Sequence, residues 1–139
     1  MKKLNSILLV DDNPAENYYN KFIINELCFC NHIIVVGNGL KALEYLQKSW
    51  QQNQTGSFPR PELIFLDINM PCMNGFEFLE EYKKLDQEFK SKIIIVMLVN
   101  SFDPDDRAKA LQTKEVKEFF YKPLTHELIH QLLTKHFYN

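Results

Sequence analysis

Ile7-Leu8-Leu9-Val10-Asp11-Asp12 carries the pattern that decides the fold: four uninterrupted apolar residues, then two aspartates. Related runs follow at Ile33 to Val36, Leu63 to Leu66, Ile93 to Leu98 and Glu118 to Tyr121, each short, largely apolar and bounded by turn residues. A strand with one wet face alternates apolar and polar side chains, whereas a strand covered on both faces is apolar throughout. These five runs therefore predict a parallel sheet held between two layers of helices.

The intervening stretches read as those helices. Ala15 to Leu27 follows Asn13-Pro14, an N-cap residue and a proline suited to the first turn, and is expected to turn Phe22, Ile23 and Leu27 to one side. Gly39 to Trp50 spaces Leu40, Leu43 and Leu46 helically, and Asn74 to Leu85 does the same with Phe78, Leu79 and Tyr82. Asp103-Pro104 opens a fourth helix, with Asp105 and Asp106 placed where the helix dipole favours negative charge. Thr125 opens a fifth that carries Leu128, Leu132 and Leu133 inward. Five strands each followed by a helix, joined by right-handed crossovers, give a doubly wound (βα)5 three-layer α/β fold. Gln51 to Arg60 is read as a longer loop, and residues 1–139 as a single domain.

Hydrophobic residues make up 45% and charged residues 24% of the chain, the balance of a globular protein. The formal charge is -2 and no Lys/Arg block stands out, which argues against direct nucleic-acid binding. Met1-Lys2-Lys3 is followed by an apolar run too short for an export signal, and no stretch approaches the roughly 18 apolar residues of a membrane span. A cytoplasmic location without membrane attachment is expected. Cys28, Cys30 and Cys72 match neither a disulfide framework nor a metal knuckle and are read as reduced thiols.

In an open parallel sheet, ligands bind beyond the carboxyl ends of the strands. Strand one ends in Asp11-Asp12, strand three in Asp67 and strand five in Lys122-Pro123, so topology alone gathers four charged groups at one edge. Carboxylates crowded together raise one another's pKa unless a cation shares the site. Oxygen-only donors point to Mg²⁺ (or Mn²⁺) rather than zinc, with positions left for water and phosphate oxygens. In that setting Asp67 is the nucleophile toward a phosphoryl donor, Asp11 and Asp12 hold the metal, and Lys122 neutralises the phosphoryl oxygens. Taken singly, an Asp-Asp pair is as well explained by turn formation and Lys122 by a solvated loop. Their conjunction at three strand ends favours chemistry.

Leu8-Leu9-Val10-Asp11-Asp12-Asn13, Asp67-Ile68-Asn69-Met70-Pro71-Cys72-Met73-Asn74-Gly75 and Lys122-Pro123-Leu124 together resemble the receiver domains of two-component response regulators, across essentially the whole chain. The resemblance implies a CheY-like (flavodoxin-like) sheet of strand order 2-1-3-4-5. It makes Asp67 the phosphoacceptor, gives the metal Asp12, Asp67 and the carbonyl of Asn69 with Asp11 binding through water, and puts Lys122 on the phosphate. Pro71 belongs to the middle motif, Gly75 fits the turn before helix three, and the Lys122-Pro123 bond matches one commonly cis in the family.

Two positions depart from the pattern. Where receivers usually place a Thr or Ser after strand four, the simplest alignment puts Val99, which has no hydroxyl to donate; a register slip brings Asn100 or Ser101 into that role. The switching aromatic, often Tyr, aligns with Phe119. The implied function is a stand-alone receiver. It is phosphorylated by a histidine kinase or histidine phosphotransfer protein, dephosphorylates itself slowly, and signals to a downstream protein through helix four, strand five and helix five, with a weak homodimer allowed. It is not an enzyme in the usual sense. The alternatives are a degenerate, phosphorylation-independent interaction module and a phosphoaspartate phosphatase, whose second aspartate is missing because position 13 is Asn13. His126 and His130, at helical i, i+4 spacing, are read as a solvated face rather than a metal site.

Overall fold

The computed structural model describes residues 3–51, 57–99 and 103–138. Met1, Lys2, residues 52–56 of the expected loop, Asn100, Ser101, Phe102 and Asn139 lie outside the described residues. Strands β1 (Leu4–Val10), β2 (Cys30–Val36), β3 (Leu63–Asp67), β4 (Ile94–Val99) and β5 (Val116–Tyr121) form one parallel sheet in the order β2-β1-β3-β4-β5. The helices are α1 (Pro14–Leu27), α2 (Gly39–Gln51), α3 (Gly75–Tyr82), α4 (Gln87–Lys90), α5 (Pro104–Gln112) and α6 (His126–His136).

The continuous apolar strands are explained by two cores. Leu8, Val10, Ile64, Leu66, Ile95, Met97 and Val99 pack with α2 and α3, while Ile7, Leu9, Leu63, Phe65, Val96 and Leu98 pack with α1 and α6. Alternate residues of each central strand thus serve opposite layers, and neither face is left for polar side chains. Register sets the site: Val10 pairs with Leu66 and with Val36, and Asp67 with Leu98, so the residues just past β1 and β3 emerge side by side.

Local sequence rules hold at the helix starts. Asn13 accepts from the N–H groups of Ala15 and Glu16, Asn74 and Glu77 form a reciprocal capping box, Asp103 caps α5 and Thr125 caps α6. The inward faces differ from expectation in two places. Phe22 is 50% and Leu27 37% exposed on α1, whose buried positions are Asn17, Asn20 and Ile24; on α2, Leu40 is 47% exposed while Leu43 and Leu46 are buried. The α1 stripe runs at i, i+3, i+7 through two asparagines, which hydropathy reads as a solvent face. The helix expected from Asn74 to Leu85 stops at Tyr82, and Asp86, accepting from Glu88 N–H, caps a further four-residue helix, giving six helices rather than five. Among the described residues no helix is long and apolar enough to cross a membrane.

Candidate functional site

Past the carboxyl ends of β1, β3 and β5 lies a cleft of about 150 Å³ lined by Asp11, Asp12, Asn13, Glu16, Asp67, Asn69 and Lys122. Each side chain is held by its element. The Asp11 N–H donates to Val36 at 3.1 Å, its carbonyl accepts from the buried Asn17 amide at 2.8 Å, and its Oδ1 accepts from Asn13 N–H at 2.9 Å. Asp67 is the last residue of β3. The loop after it is pinned by Gly75 N–H to Ile68 (2.8 Å) and by Gly39 N–H to Met73 (2.9 Å). Lys122 N–H donates to the Val99 carbonyl at 2.6 Å, the Lys122-Pro123 peptide is cis, and the Tyr19 hydroxyl donates to the Leu124 carbonyl at 2.7 Å.

These supports bring three distant residues into contact. Lys122 Nζ lies 3.1 Å from Asp11 Oδ2 and 3.3 Å from Asp67 Oδ1, and the three side chains are only 8%, 7% and 13% exposed. Burial, reinforced by the charge of Asp11, pushes the Asp67 carboxyl up to about 6, against the pull of Lys122 and the Ile68 N–H. Burial works against the Lys122 charge, but attraction to Asp67 and the hydrogen bond and charge of Asp11 outweigh it and raise its pKa. The result is a cationic Lys122 beside a carboxylate held in surplus negative charge.

Carboxylate oxygens of Asp11, Asp12 and Asp67 lie within 4.8 Å of one another. One lysine against three carboxylates, of which Asp11 and Asp67 are largely shielded from solvent and Asp12 is exposed, leaves excess negative charge, the condition a divalent cation relieves, and an all-oxygen donor set suits a hard one. The residues present therefore fit a Mg²⁺ or Mn²⁺ ion. Among the described residues this is the one such acidic or histidine cluster; His126 instead meets Glu26 at 3.0 Å, with no metal grouping of His126 and His130.

The remaining sequence-derived positions divide. Pro71 and Pro123 sit in the loops that follow Asp67 and Lys122. Gly75 is the first residue of α3 rather than part of the turn before it: a β-carbon there would stand 2.5 Å from the Asp67 carbonyl oxygen. Val99 is 3% exposed, packs in the α2/α3-side core and does not line the cleft, while Asn100 and Ser101 lie outside the described residues. Phe119 is half-buried on β5, its ring edge-on to Tyr121 at 5.5 Å. Sequence reasoning missed Glu16, Asn17 and Tyr19. Glu16 alone left a signal, an acidic residue one helical turn beyond Asp12.

The response regulator receiver domain family matches residues 7–134. The chain belongs to this family. Response regulator Rcp1 of Synechocystis sp. is 35% identical over 100 residues, 72% of this chain and 65% of Rcp1, so the chain spans less than two thirds of that relative. A two-component response regulator from Cytophaga hutchinsonii superposes with a TM-score of 0.85 at 34% identity, covering 96% of this chain and 97% of that one. The Mn²⁺-bound form of response regulator Rcp1 gives a TM-score of 0.71 at 28% identity, covering 96% and 94%. The sheet order expected of a receiver is the one observed, and the family to which the chain belongs is one of signalling modules.

Proposed function

We propose that this receiver takes a phosphoryl group onto Asp67 from the phosphohistidine of a histidine kinase or histidine phosphotransfer protein. It then loses that group slowly to water and signals through contact with a downstream protein. The observation that carries the reading is the buried Lys122 ammonium touching both Asp11 (3.1 Å) and Asp67 (3.3 Å) in a cleft open to solvent.

An Asp67 oxygen attacks phosphorus as the donor P–N bond breaks, and the imidazole leaves with the bonding pair. Lys122, whose ammonium offers three donors, transfers a hydrogen bond from the Asp67 carboxylate to the incoming phosphoryl oxygens. Asp11 keeps its own bond to Lys122 and so holds the ammonium in place. A Mg²⁺ or Mn²⁺ ion held by Asp11, Asp12, Asp67 and the Asn69 carbonyl would supply neutralisation of the phosphoryl charge in transit; that response regulator Rcp1 has a Mn²⁺-bound form supports a divalent ion in this site. Dephosphorylation reverses the pattern: a water oxygen attacks phosphorus and the Asp67 carboxylate leaves.

The surface around α5, β5 and α6, with Phe119 on its central strand, is the expected output face, and a cytoplasmic setting suits such a partner. Val99, which has no hydroxyl, is what favours a degenerate, phosphorylation-independent module as the second reading, and an Asn100 or Ser101 side chain acting on the phosphate in its stead would argue against it. Incubation with acetyl phosphate or phosphoramidate and Mg²⁺, followed by intact mass measurement, should add one phosphoryl group, lost in Asp67→Asn and in EDTA. No adduct from either donor would sink the proposal. An adduct that leaves amide shifts at Phe119 unmoved would instead favour the constitutive module.

A further inference from the structure

The cleft contains a fourth carboxylate that the phosphotransfer reading does not use. Glu16 stands in the first turn of α1, its N–H bound to the Asn13 side chain at 3.2 Å, and its half-buried side chain lines the cleft with Asp11, Asp12, Asp67 and Lys122. It is outside the mutually adjacent set Asp11, Asp12 and Asp67. No side-chain hydrogen bond or ion pair of Glu16 is found among the described residues, yet its charge is felt at Lys122.

Charge balance gives Glu16 a distinct position. A divalent cation and Lys122 together offset the three aspartates, so Glu16 is the charge left over once the site is loaded. The Asp67 side chain is only 13% exposed while Asp12 and Asn13 are exposed, and in-line transfer sends the leaving group away from Asp67, into the cleft that Glu16, Asn13 and Asp12 help to line. A donor whose leaving atom carries positive charge is attracted by Glu16, and one that leaves as an anion is repelled.

Resting on the phosphotransfer reading, we propose that Glu16 is a donor-specificity residue, selecting nitrogen–phosphorus donors with a protonated leaving group over acyl phosphates. For phosphoramidate the P–N bond breaks as the Asp67 O–P bond forms, nitrogen keeps the pair, and ammonia leaves. For acetyl phosphate the P–O bond breaks and acetate leaves with the pair, carrying its negative charge past Glu16.

The test measures phosphorylation rates of the full chain with phosphoramidate and with acetyl phosphate at saturating Mg²⁺, and compares their ratio among variants. Glu16→Gln should lower the phosphoramidate-to-acetyl phosphate ratio about five- to tenfold, chiefly by speeding the acetyl phosphate reaction. Glu16→Asp should keep most of the preference, and Glu44→Gln, an exposed glutamate of α2 outside the cleft, should leave it unchanged. Mn²⁺ affinity, read from water proton relaxation, should stay within about threefold in Glu16→Gln, because the residue is outside the adjacent carboxylate set. A ratio unchanged in Glu16→Gln, or a large loss of Mn²⁺ affinity that accounts for the rates, overturns the inference while leaving phosphotransfer to Asp67 intact. Failure of both donors on the wild-type chain overturns both together.

Discussion

Gly75 rests directly on the backbone of Asp67: a β-carbon at position 75 would stand 2.5 Å from the Asp67 carbonyl oxygen and 3.1 Å from the Ile68 α-carbon. Both neighbours are main chain, so neither can swing aside as a side chain would. Gly75→Ala must push α3 away from the end of β3 or displace Asp67 itself. The expected cost is about 1–3 kcal/mol in urea denaturation, together with a slower acetyl phosphate reaction. Unchanged stability would mean that the approach is looser than the geometry requires.

Asp67 makes stability depend on pH in metal-free buffer. Its carboxyl is pushed from 3.8 to about 6 by burial and by Asp11, so between those values the folded chain binds more proton than the unfolded one. The stabilising contribution is therefore full below the unfolded value and is lost as pH rises through about 6. Asp67→Asn cannot ionise and should be more stable than wild type by about 1–3 kcal/mol above neutrality, with the gain vanishing near pH 4. Urea unfolding in EDTA at both extremes checks this; an advantage that is the same at each pH contradicts the electrostatic cause.

Why the sequence disclosed the site but not all of its scaffold follows from what each residue answers to. Asp11, Asp67 and Lys122 stand at strand ends, and an uninterrupted apolar run announces a strand end without knowledge of its neighbours. The face of α1 is different, since Asn17 is buried because the Asp11 carbonyl needs a donor, a reason that exists only once β1 and α1 are packed. Phe22, inward by hydropathy, lies off the face that buries Asn17, Asn20 and Ile24 and is 50% exposed. The break after Tyr82 was similarly hidden, because Asp86 reads equally well as a helix-surface acid or as a new N-cap. Gly75 is legible from its motif, while its contact with the Asp67 backbone, which excludes a side chain there, exists only once α3 packs on the end of β3.

Lys122 separates two buried carboxylates, and its removal should be felt by both. Lys122→Met keeps the stem and removes the ammonium, leaving Asp11 and Asp67 facing each other without compensation. At neutral pH without metal a loss of about 2–4 kcal/mol is expected, partly recovered by Mg²⁺ or by acidification, because either relieves the same repulsion. Phosphorylation by acetyl phosphate should fall by about ten- to a hundredfold even at saturating Mg²⁺. A variant whose stability is indifferent to Mg²⁺ would show that the acidic residues are already screened by solvent.

Val99 distinguishes packing from chemistry at the end of β4. Its side chain is buried in the α2/α3-side core while its carbonyl receives Lys122 N–H, so the residue supports the site through its backbone. Val99→Ala should behave as a core truncation, costing about 1–3 kcal/mol with little change in phosphorylation rate or phosphate lifetime once the protein is folded. Val99→Thr should also destabilise, by about 1–2 kcal/mol, because the new hydroxyl meets apolar neighbours. Asn100→Ala and Ser101→Ala are the variants in which one is expected to alter phosphate lifetime without comparable loss of stability. If Val99→Thr instead lengthens that lifetime while neither of the others does, the hydroxyl position of the receiver pattern belongs to Val99 and its side chain must turn toward the cleft on phosphorylation.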